Sequence, residues 1–321
     1  MTRAPAHRGW RRLAIAAVLL AGAGLVHAQE VASVLDGGDP TLIFADGRVW
    51  LYPTRGNTSL SSWSSTDLKT WRAHGPLLDQ RDIAWIDEDG APRHSLWAPD
   101  MVHAKDGWFF YYSVGPQNPT PSRIGVARCS GPAGPCTDSG KPLLTGGDGF
   151  EAIDPMVFSD PRSAKSYLYA GGSAGATLRV FELGEDMISL AREVKIEQPP
   201  NFTEGAFMHE RDGVYYLSYS HGKWNDASYA VHYATAPGPI GPWAYRGVIL
   251  RSEARTKGPG HHSFLRDPRT GKWLIAYHRW EGKTGDGPYR GSRRIAIQPI
   301  AYTADGLIAP IAIDMIDTVS D

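Results

Sequence analysis

Five segments of this chain each open with a charged or imidazole side chain and run into a strand-like stretch. They read Gly38-Asp39-Pro-Thr-Leu-Ile-Phe, Trp97-Ala-Pro-Asp100-Met-Val, Ile153-Asp154-Pro-Met-Val-Phe, Thr203-Glu204-Gly-Ala-Phe-Met and Gly258-Pro-Gly-His261-His262-Ser-Phe-Leu. With Asp39, Asp100, Asp154, Glu204 and His261 as markers, the successive spacings are 61, 54, 50 and 57 residues. A period of about fifty residues carried by strand signals indicates radial repetition, each repeat forming one blade of a propeller. Equivalent positions in successive blades lie at equivalent depths around one axis. The four carboxylates and the histidine are therefore expected to face a single axial cavity.

Each repeat carries further strand signals. Arg48-Val-Trp-Leu-Tyr52, Trp108-Phe-Phe-Tyr-Tyr112, Tyr167-Leu-Tyr169, Val214-Tyr-Tyr-Leu-Ser-Tyr219 and Trp273-Leu-Ile-Ala-Tyr277 are rich in aromatic and β-branched residues, the types that strands favour. The turns before them, Ala45-Asp46-Gly47, Lys105-Asp106-Gly107, Arg211-Asp212-Gly213 and Thr270-Gly271-Lys272, have hairpin chemistry, since Asp-Gly supplies the positive φ of a tight hairpin. Third strands are expected at Ser61–Ser65, Arg123–Ala127 and Ala230–Ala234. The polar turns Asp67–Trp71 and Pro239–Trp243 lead to fourth strands. The expected fold is all-β: a five-bladed β-propeller with about four antiparallel strands per blade. The stretch Ile308–Ile316 is expected to pack on the last blade or help close the ring.

The repeats run from about residue 35 to about residue 315 of 321, so residues 29–321 are expected to form one domain. The first 28 residues stand apart. Arg3, His7, Arg8, Arg11 and Arg12 precede the apolar run Leu13 to Val26, and Val26-His27-Ala28 offers small residues at a cleavage site. This is the pattern of a secretory signal removed at about Gln29, and the apolar run is short against the ~20 residues of a membrane span. The mature protein is expected to be secreted or periplasmic, monomeric and free of the membrane. A net charge of −1 gives no basic field for nucleic acid. Cys129 and Cys136 flank Ser-Gly-Pro-Ala-Gly-Pro. In an oxidising compartment they are expected to form a local disulfide, with two free thiols as the alternative.

A single Asp-Pro would merely start a turn, because Asp bonds local backbone groups and Pro fixes φ. Here Asp-Pro recurs at Asp39 and Asp154, with Glu204 and His261 at the corresponding places of other repeats. Carboxylates that converge in a cleft suit glycoside hydrolysis. One protonates the leaving oxygen; the other activates water or attacks the sugar.

The chain resembles glycoside hydrolase family 43 over essentially its whole mature length. The resemblance rests on Gly38-Asp39-Pro40, Trp97-Ala-Pro-Asp100, Ile153-Asp154-Pro155, Glu204-Gly205-Ala-Phe207 with Tyr215–Tyr219, Tyr233-Ala-Thr with Gly241-Pro242-Trp243, and Gly258-Pro-Gly-His261. It implies a five-bladed propeller and an anomer-inverting hydrolase that needs no cofactor for its chemistry and takes a carbohydrate substrate. It also implies Asp39 as general base, Glu204 as general acid, and Asp154 as the group that orients the acid and raises its pKa. An ionised Asp154 nearby would disfavour a second negative charge on Glu204. His261 matches a histidine that helps hold a calcium ion or a water below the sugar, with a cavity-lining histidine as the alternative. Arg293 matches an arginine that binds sugar hydroxyls or the catalytic carboxylates, and Trp97 a sugar-stacking aromatic.

Period-two alternation lets only one of Arg293 and Arg294 face the cavity, and turns His262 away from it. Asp100 is expected to be structural, and Tyr277-His278-Arg-Trp280 has no assigned role. The motifs of retaining fructosidase-like propellers are absent, as are the Trp-Asp endings of interaction propellers. A non-catalytic sugar-binding propeller would have lost one of the three acids, and all are present. The loops Leu78–Ser95 and Ala254–Gly258 are expected to shape the subsites, and the first, with Trp85 and several charges, to wall one side of the cavity. A walled pocket releases terminal sugars. The expected activity is an exo-acting α-L-arabinofuranosidase, with β-D-xylosidase or an arabinan- or galactan-acting hydrolase as the alternative.

Overall fold

The structure, a computed structural model, describes residues 1–2, 27–104, 107–173, 175–313 and 315–318. Most of the segment expected to be a secretory signal, and the Lys105-Asp106 turn, lie outside the described residues. The rest folds into a five-bladed β-propeller of antiparallel sheets. Blade 1 comprises Gly38–Ala45, Arg48–Thr54, Ser59–Ser65 and Arg72–Asp79. Blade 2 comprises Ser95–Ala104, Gly107–Gly115, Arg123–Cys129 and Cys136–Asp138, with Leu144–Thr145 added on Arg123–Cys129. Blade 3 is Met156–Ser159, Ser166–Ala170, Arg179–Leu183 and Leu190–Val194. Blade 4 is Glu204–Arg211, Val214–His221, Ala230–Ala236 and Ala244–Leu250. Blade 5 takes Thr256–Arg266, Trp273–Glu281 and Arg294–Ile300 from the C-terminal part. Its outermost strand, Ser33–Asp36, comes from the N-terminal part.

That exchange closes the ring, so both ends of the chain are tied into one blade. Ile308 and Ile313 pack against blades 4 and 5, as expected for the C-terminal stretch. A separate pair, His27–Glu30 with Met315–Thr318, lies beside the closure. Cleavage at Gln29 would remove His27 and Ala28 from it and leave Ser33–Asp36 in place.

The core is divided among the blade interfaces, one apolar cluster to each neighbouring pair. The second strands explain this. Phe110 and Tyr112 of blade 2 face blade 1, while Phe109 and Tyr111 face blade 3. Side chains alternate across a strand. A strand covered on both faces must therefore be apolar at every position, which is why these runs read as uninterrupted aromatics. Cys129 stands opposite Cys136 in the ladder of blade 2, and the two form a disulfide.

The feature that positions the site is a repeated break in the innermost strand. Pairing jumps from Gly38↔Thr54 to Thr41↔Tyr52, from Trp97↔Ser113 to Asp100↔Tyr111, from Glu204↔Ser220 to Phe207↔Ser218, and from Gly260↔His278 to Ser263↔Ala276. Each jump is a β-bulge, which kinks a strand and re-aims its side chains. The first bulged residues are Asp39, Ala98, Gly205 and His261. Asp154 takes the same conformation in blade 3, and all five have positive φ. The Asp-Pro signal of the sequence thus marks a backbone position of positive φ.

Candidate active site

At three of these five positions of positive φ the residue carries a candidate functional side chain: Asp39, Asp154 and His261. Glu204 stands one residue earlier, and Asp100 falls two residues after Ala98. The five marker residues are therefore not at one depth. Asp100 is buried beneath the ring, its Oδ2 accepting from the Val157 N–H at 2.7 Å. Burial pushes that carboxyl up to about 7. It is a structural tie from blade 2 to blade 3.

The bulged backbone N–H groups are satisfied by side chains of the preceding blade. Ala98 donates to Thr54 Oγ1 (2.7 Å), Asp154 to Ser113 Oγ (2.9 Å), His261 to Ser220 Oγ (2.8 Å) and Asp39 to His278 Nδ1 (3.3 Å). By register, blade 3 has Gly171 at this place and can offer no acceptor. The Gly205 N–H goes instead to Asp154 Oδ2 at 3.1 Å. Gly172, the next residue, leaves no room for a Cβ because Glu204 lies against it. Two glycines in blade 3 thus give Glu204 its place and tie Asp154 to the peptide that follows it.

The carboxylates have contrasting surroundings. Asp39 is 7% exposed and lies in a fork of Arg293, with Nη1 at 2.6 Å and Nη2 at 3.2 Å. His261 Nδ1 stands 3.3 Å from Asp39 Oδ1 and 3.6 Å from Asp154 Oδ2, bridging the two acids. Burial alone would raise the Asp39 carboxyl, but Arg293, His261 and His278 together hold it well below the usual carboxylate range. Asp154 is raised to about 7. Burial is the main cause and the charges of Glu204 and Asp39 add to it, against the pull of His261. Glu204, also 7% exposed, meets neutral hydroxyls: Tyr229 Oη donates to Oε1 at 2.7 Å and Ser173 Oγ to Oε2 at 3.1 Å. The Gln117 amide donates to Ser173 Oγ at 3.1 Å.

A model of glycosyl hydrolases family 43 matches residues 32–308. The chain belongs to that family. It is a glycoside hydrolase and is similar to a β-D-galactofuranosidase, xynD, of Aspergillus niger, with 33% identity covering 86% of this chain and 83% of the relative. It is also similar to a xylosidase/arabinosidase of Bacteroides ovatus, with 28% identity over 85% and 94% of the two chains. Among solved structures it matches CoXyl43, a β-xylosidase/α-arabinofuranosidase from a compost microbial metagenome, in its calcium-free complex with xylotriose. The TM-score is 0.70 and the identity 28%, covering 89% of this chain and 97% of that one.

In this family 43 enzyme the remaining expectations divide. Arg293 faces the cavity, whereas Arg294 pairs with Asp36 at the surface. His262 turns away, as alternation requires, and its Nε2 meets Ser218 Oγ between blades 4 and 5. Trp97 occupies in blade 2 the strand position that Glu204 holds in blade 4, half-buried with its indole over Gly115. Trp85 does not wall the cavity. It is 0% exposed, stacked under Arg123 and bonded to Asp138 Oδ2. An indole of that size in a loop between blades 1 and 2 gains more from their shared core than from solvent. Ala254 and Arg255 border a surface recess with Val31, Ser33 and Lys283.

As for calcium, no group of three or more His, Cys, Asp or Glu side chains suited to a metal occurs among the described residues. Calcium takes about 6–8 oxygen ligands. His261 has no oxygen to give and directs Nδ1 at two carboxylates, so the protein groups here do not make a calcium cage.

Four contributors escaped the sequence: Tyr229, His278, Ser173 and Trp224. His278 is fully buried and touches Asp39 and Arg293 through Nδ1. Trp224 is 46% exposed and lies 5.2 Å from the Arg293 guanidinium, while the backbone of Gly38 lies against that guanidinium as well. A Cβ on Gly38 would overlap the guanidinium. Gly38→Ala is therefore expected to push Arg293 off Asp39. The acidic limb of kcat/KM should rise in pH, and activity should fall by about 10²-fold, the scale of a misplaced reacting group. Titrating kcat/KM against pH checks this; an unmoved limb would mean that Arg293 does not set the protonation of Asp39.

Proposed function

We propose that the chain is an exported, anomer-inverting, exo-acting α-L-arabinofuranosidase acting on plant cell-wall polysaccharide or its oligosaccharides. Asp39 is the general base and Glu204 the general acid. Asp154 orients the acid through the Gly205 peptide and, by its charge when ionised, opposes loss of the acid's proton. The observation that carries these roles is the asymmetry of the surroundings. Asp39 is gripped by a guanidinium and stays ionised. Among the described residues, Glu204 accepts from two hydroxyls, those of Tyr229 and Ser173. A site that separates its carboxylates in this way assigns base to one and acid to the other.

In the reaction, Glu204 passes its proton to the glycosidic oxygen as the C–O bond breaks. Asp39 takes a proton from the water that attacks the opposite face of the sugar, and the product carries the inverted anomeric centre. Arg293 keeps Asp39 deprotonated and reaches sugar hydroxyls, His261 holds Asp39 and Asp154 apart, and Trp97 and Trp224 offer aromatic faces to the ring. No step passes through a metal.

A furanose is favoured by the similarity at 33% identity to a β-D-galactofuranosidase. α-L-Arabinofuranose and β-D-galactofuranose share their ring configuration and differ by one exocyclic carbon. The second reading is accordingly a β-D-galactofuranosidase. Exo action is supported by two braced loops at the rim. The loop of Gln117 is tied through Thr120 to Asp89, and the loop of Trp224 through Ala227 to Asp286 and through Asn225 to Tyr289. The leader over residues 1–28 directs the enzyme to the periplasm or beyond.

The test is a panel of para-nitrophenyl α-L-arabinofuranoside, β-D-galactofuranoside and β-D-xylopyranoside, with product analysis on arabinan. The arabinofuranoside should be cleaved at least about tenfold faster in kcat/KM than the xyloside, the discrimination a single substituent can give. Arabinan should release only monosaccharide, first appearing as the β-anomer in proton NMR. Preference for the xyloside would overturn the furanosidase reading. Release of oligosaccharides would overturn exo action, and a first-formed α-anomer would overturn inversion.

A further inference from the structure

We infer that Tyr229 is the positioning residue of the acid: its phenol fixes Glu204 Oε1 as an acceptor and so confines the transferable proton to Oε2. This rests on the reading of Glu204 as the general acid. Tyr229 closes the loop before Ala230–Ala236 and is 0% exposed. Its ring is held between two partners. The His278 imidazole stacks on it with centroids 5.6 Å apart and planes 9° apart, and Gly260 lies so close that a Cβ there would overlap the ring. The phenol oxygen is therefore held 2.7 Å from Glu204 Oε1, with the Ser220 hydroxyl as its other neighbour. Burial raises the phenol well above its ordinary pKa, so it remains a donor throughout the working range.

In a protonated carboxyl the carbonyl oxygen is the better acceptor, so the buried phenol favours Oε1 in that role and the acid proton on Oε2, where the hydroxyl of half-buried Ser173 can turn to accept it. When Oε2–H passes to the glycosidic oxygen, Glu204 becomes a carboxylate and its Oε1 bond to Tyr229 becomes charge-assisted and stronger. The interaction grows as the reaction proceeds, so it should act on kcat rather than KM. The same ring stacks on His278, which touches Asp39. One side chain thus sets the placement of the acid against the base side of the site.

The test is Tyr229→Phe, which keeps the ring, its stacking and its volume. The charged and titratable groups around Glu204 and Tyr229 are Asp154 from blade 3, His261 and His278 from blade 5, and Asp39 with its partner Arg293. Removing one phenolic oxygen leaves each of them in place. On a natural oligosaccharide kcat should fall about 10- to 100-fold, the worth of a hydrogen bond to a charged group, with KM little changed. The alkaline limb of kcat/KM should move to higher pH, because the carboxylate loses a donor that favours it. An unmoved limb would overturn the inference, since a ring that merely packs would leave the profile in place. A second measurement places Tyr229→Phe in a Glu204→Gln background. There it should cost almost nothing further, because both changes remove one function. An undiminished additional loss would show that the phenol acts elsewhere and would also overturn the inference. If Glu204→Gln alone keeps wild-type rates on natural glycosides, the acid assignment falls, and the inference with it.

Discussion

Glu204→Gln is expected to lower kcat on natural oligosaccharides by roughly 10²–10⁴-fold, the range of a lost general acid, while the fold stays intact. The amide is nearly isosteric and can still accept from Tyr229 Oη. It cannot give up a proton to the leaving oxygen. An aryl glycoside with an acidic phenol as leaving group needs little protonation, so on that substrate the same variant should lose far less. The comparison is made on one preparation, with circular dichroism and melting temperature as controls. Equal losses on both substrates would show that Glu204 contributes something other than its proton.

Asp39→Asn should be as damaging, but without the dependence on leaving group, because every substrate must receive water at the opposite face. A loss of roughly 10²–10⁴-fold is expected on aryl and natural glycosides alike. The pH dependence follows from the surroundings of Asp39. Its folded-state carboxyl lies well below the ordinary value, so the base stays ionised through mildly acidic pH and is lost only as pH falls through that depressed value. The wild-type acidic limb of kcat/KM should therefore lie below that of an ordinary aspartate. Replacing Arg293 with Gln removes the cation closest to Asp39 in the fork. Burial then acts with less opposition, so the limb should move to higher pH. Measured profiles of both proteins decide the point, and a limb that stays put would remove Arg293 from its role.

Much of the architecture could be read from local chemistry. Aromatic runs, Asp-Gly turns and a repeat of about fifty residues suffice to indicate blades, because strand preference and hairpin geometry act over a few residues. Arg293 and Arg294 could be separated in principle by alternation, and His262 could be turned from the cavity by the same rule. The Asp-Pro pairs pointed to the right places for a reason the sequence did not disclose: each Asp takes the same positive-φ conformation, at a bulge in blade 1 and just before the first strand of blade 3. That difference explains why Asp100 was grouped with residues it does not accompany. It sits two positions past Ala98, and the ladder there is already regular again.

The sequence by itself determined the fold class and the blade count and singled out Asp39, Asp154 and Glu204 as candidates, since each is announced by neighbours within a few residues. Only the tertiary structure decided what surrounds those acids. Arg293 is 254 residues from Asp39 and His278 is 239. Tyr229 is 25 residues from Glu204, on the third strand's entry to the same blade. The closure of blade 5 by Ser33–Asp36 is of the same kind. Such partners are brought together by winding the chain around an axis. Electrostatic fields, hydrogen bonds and steric exclusion depend on distances in space, and no spacing along the chain records them.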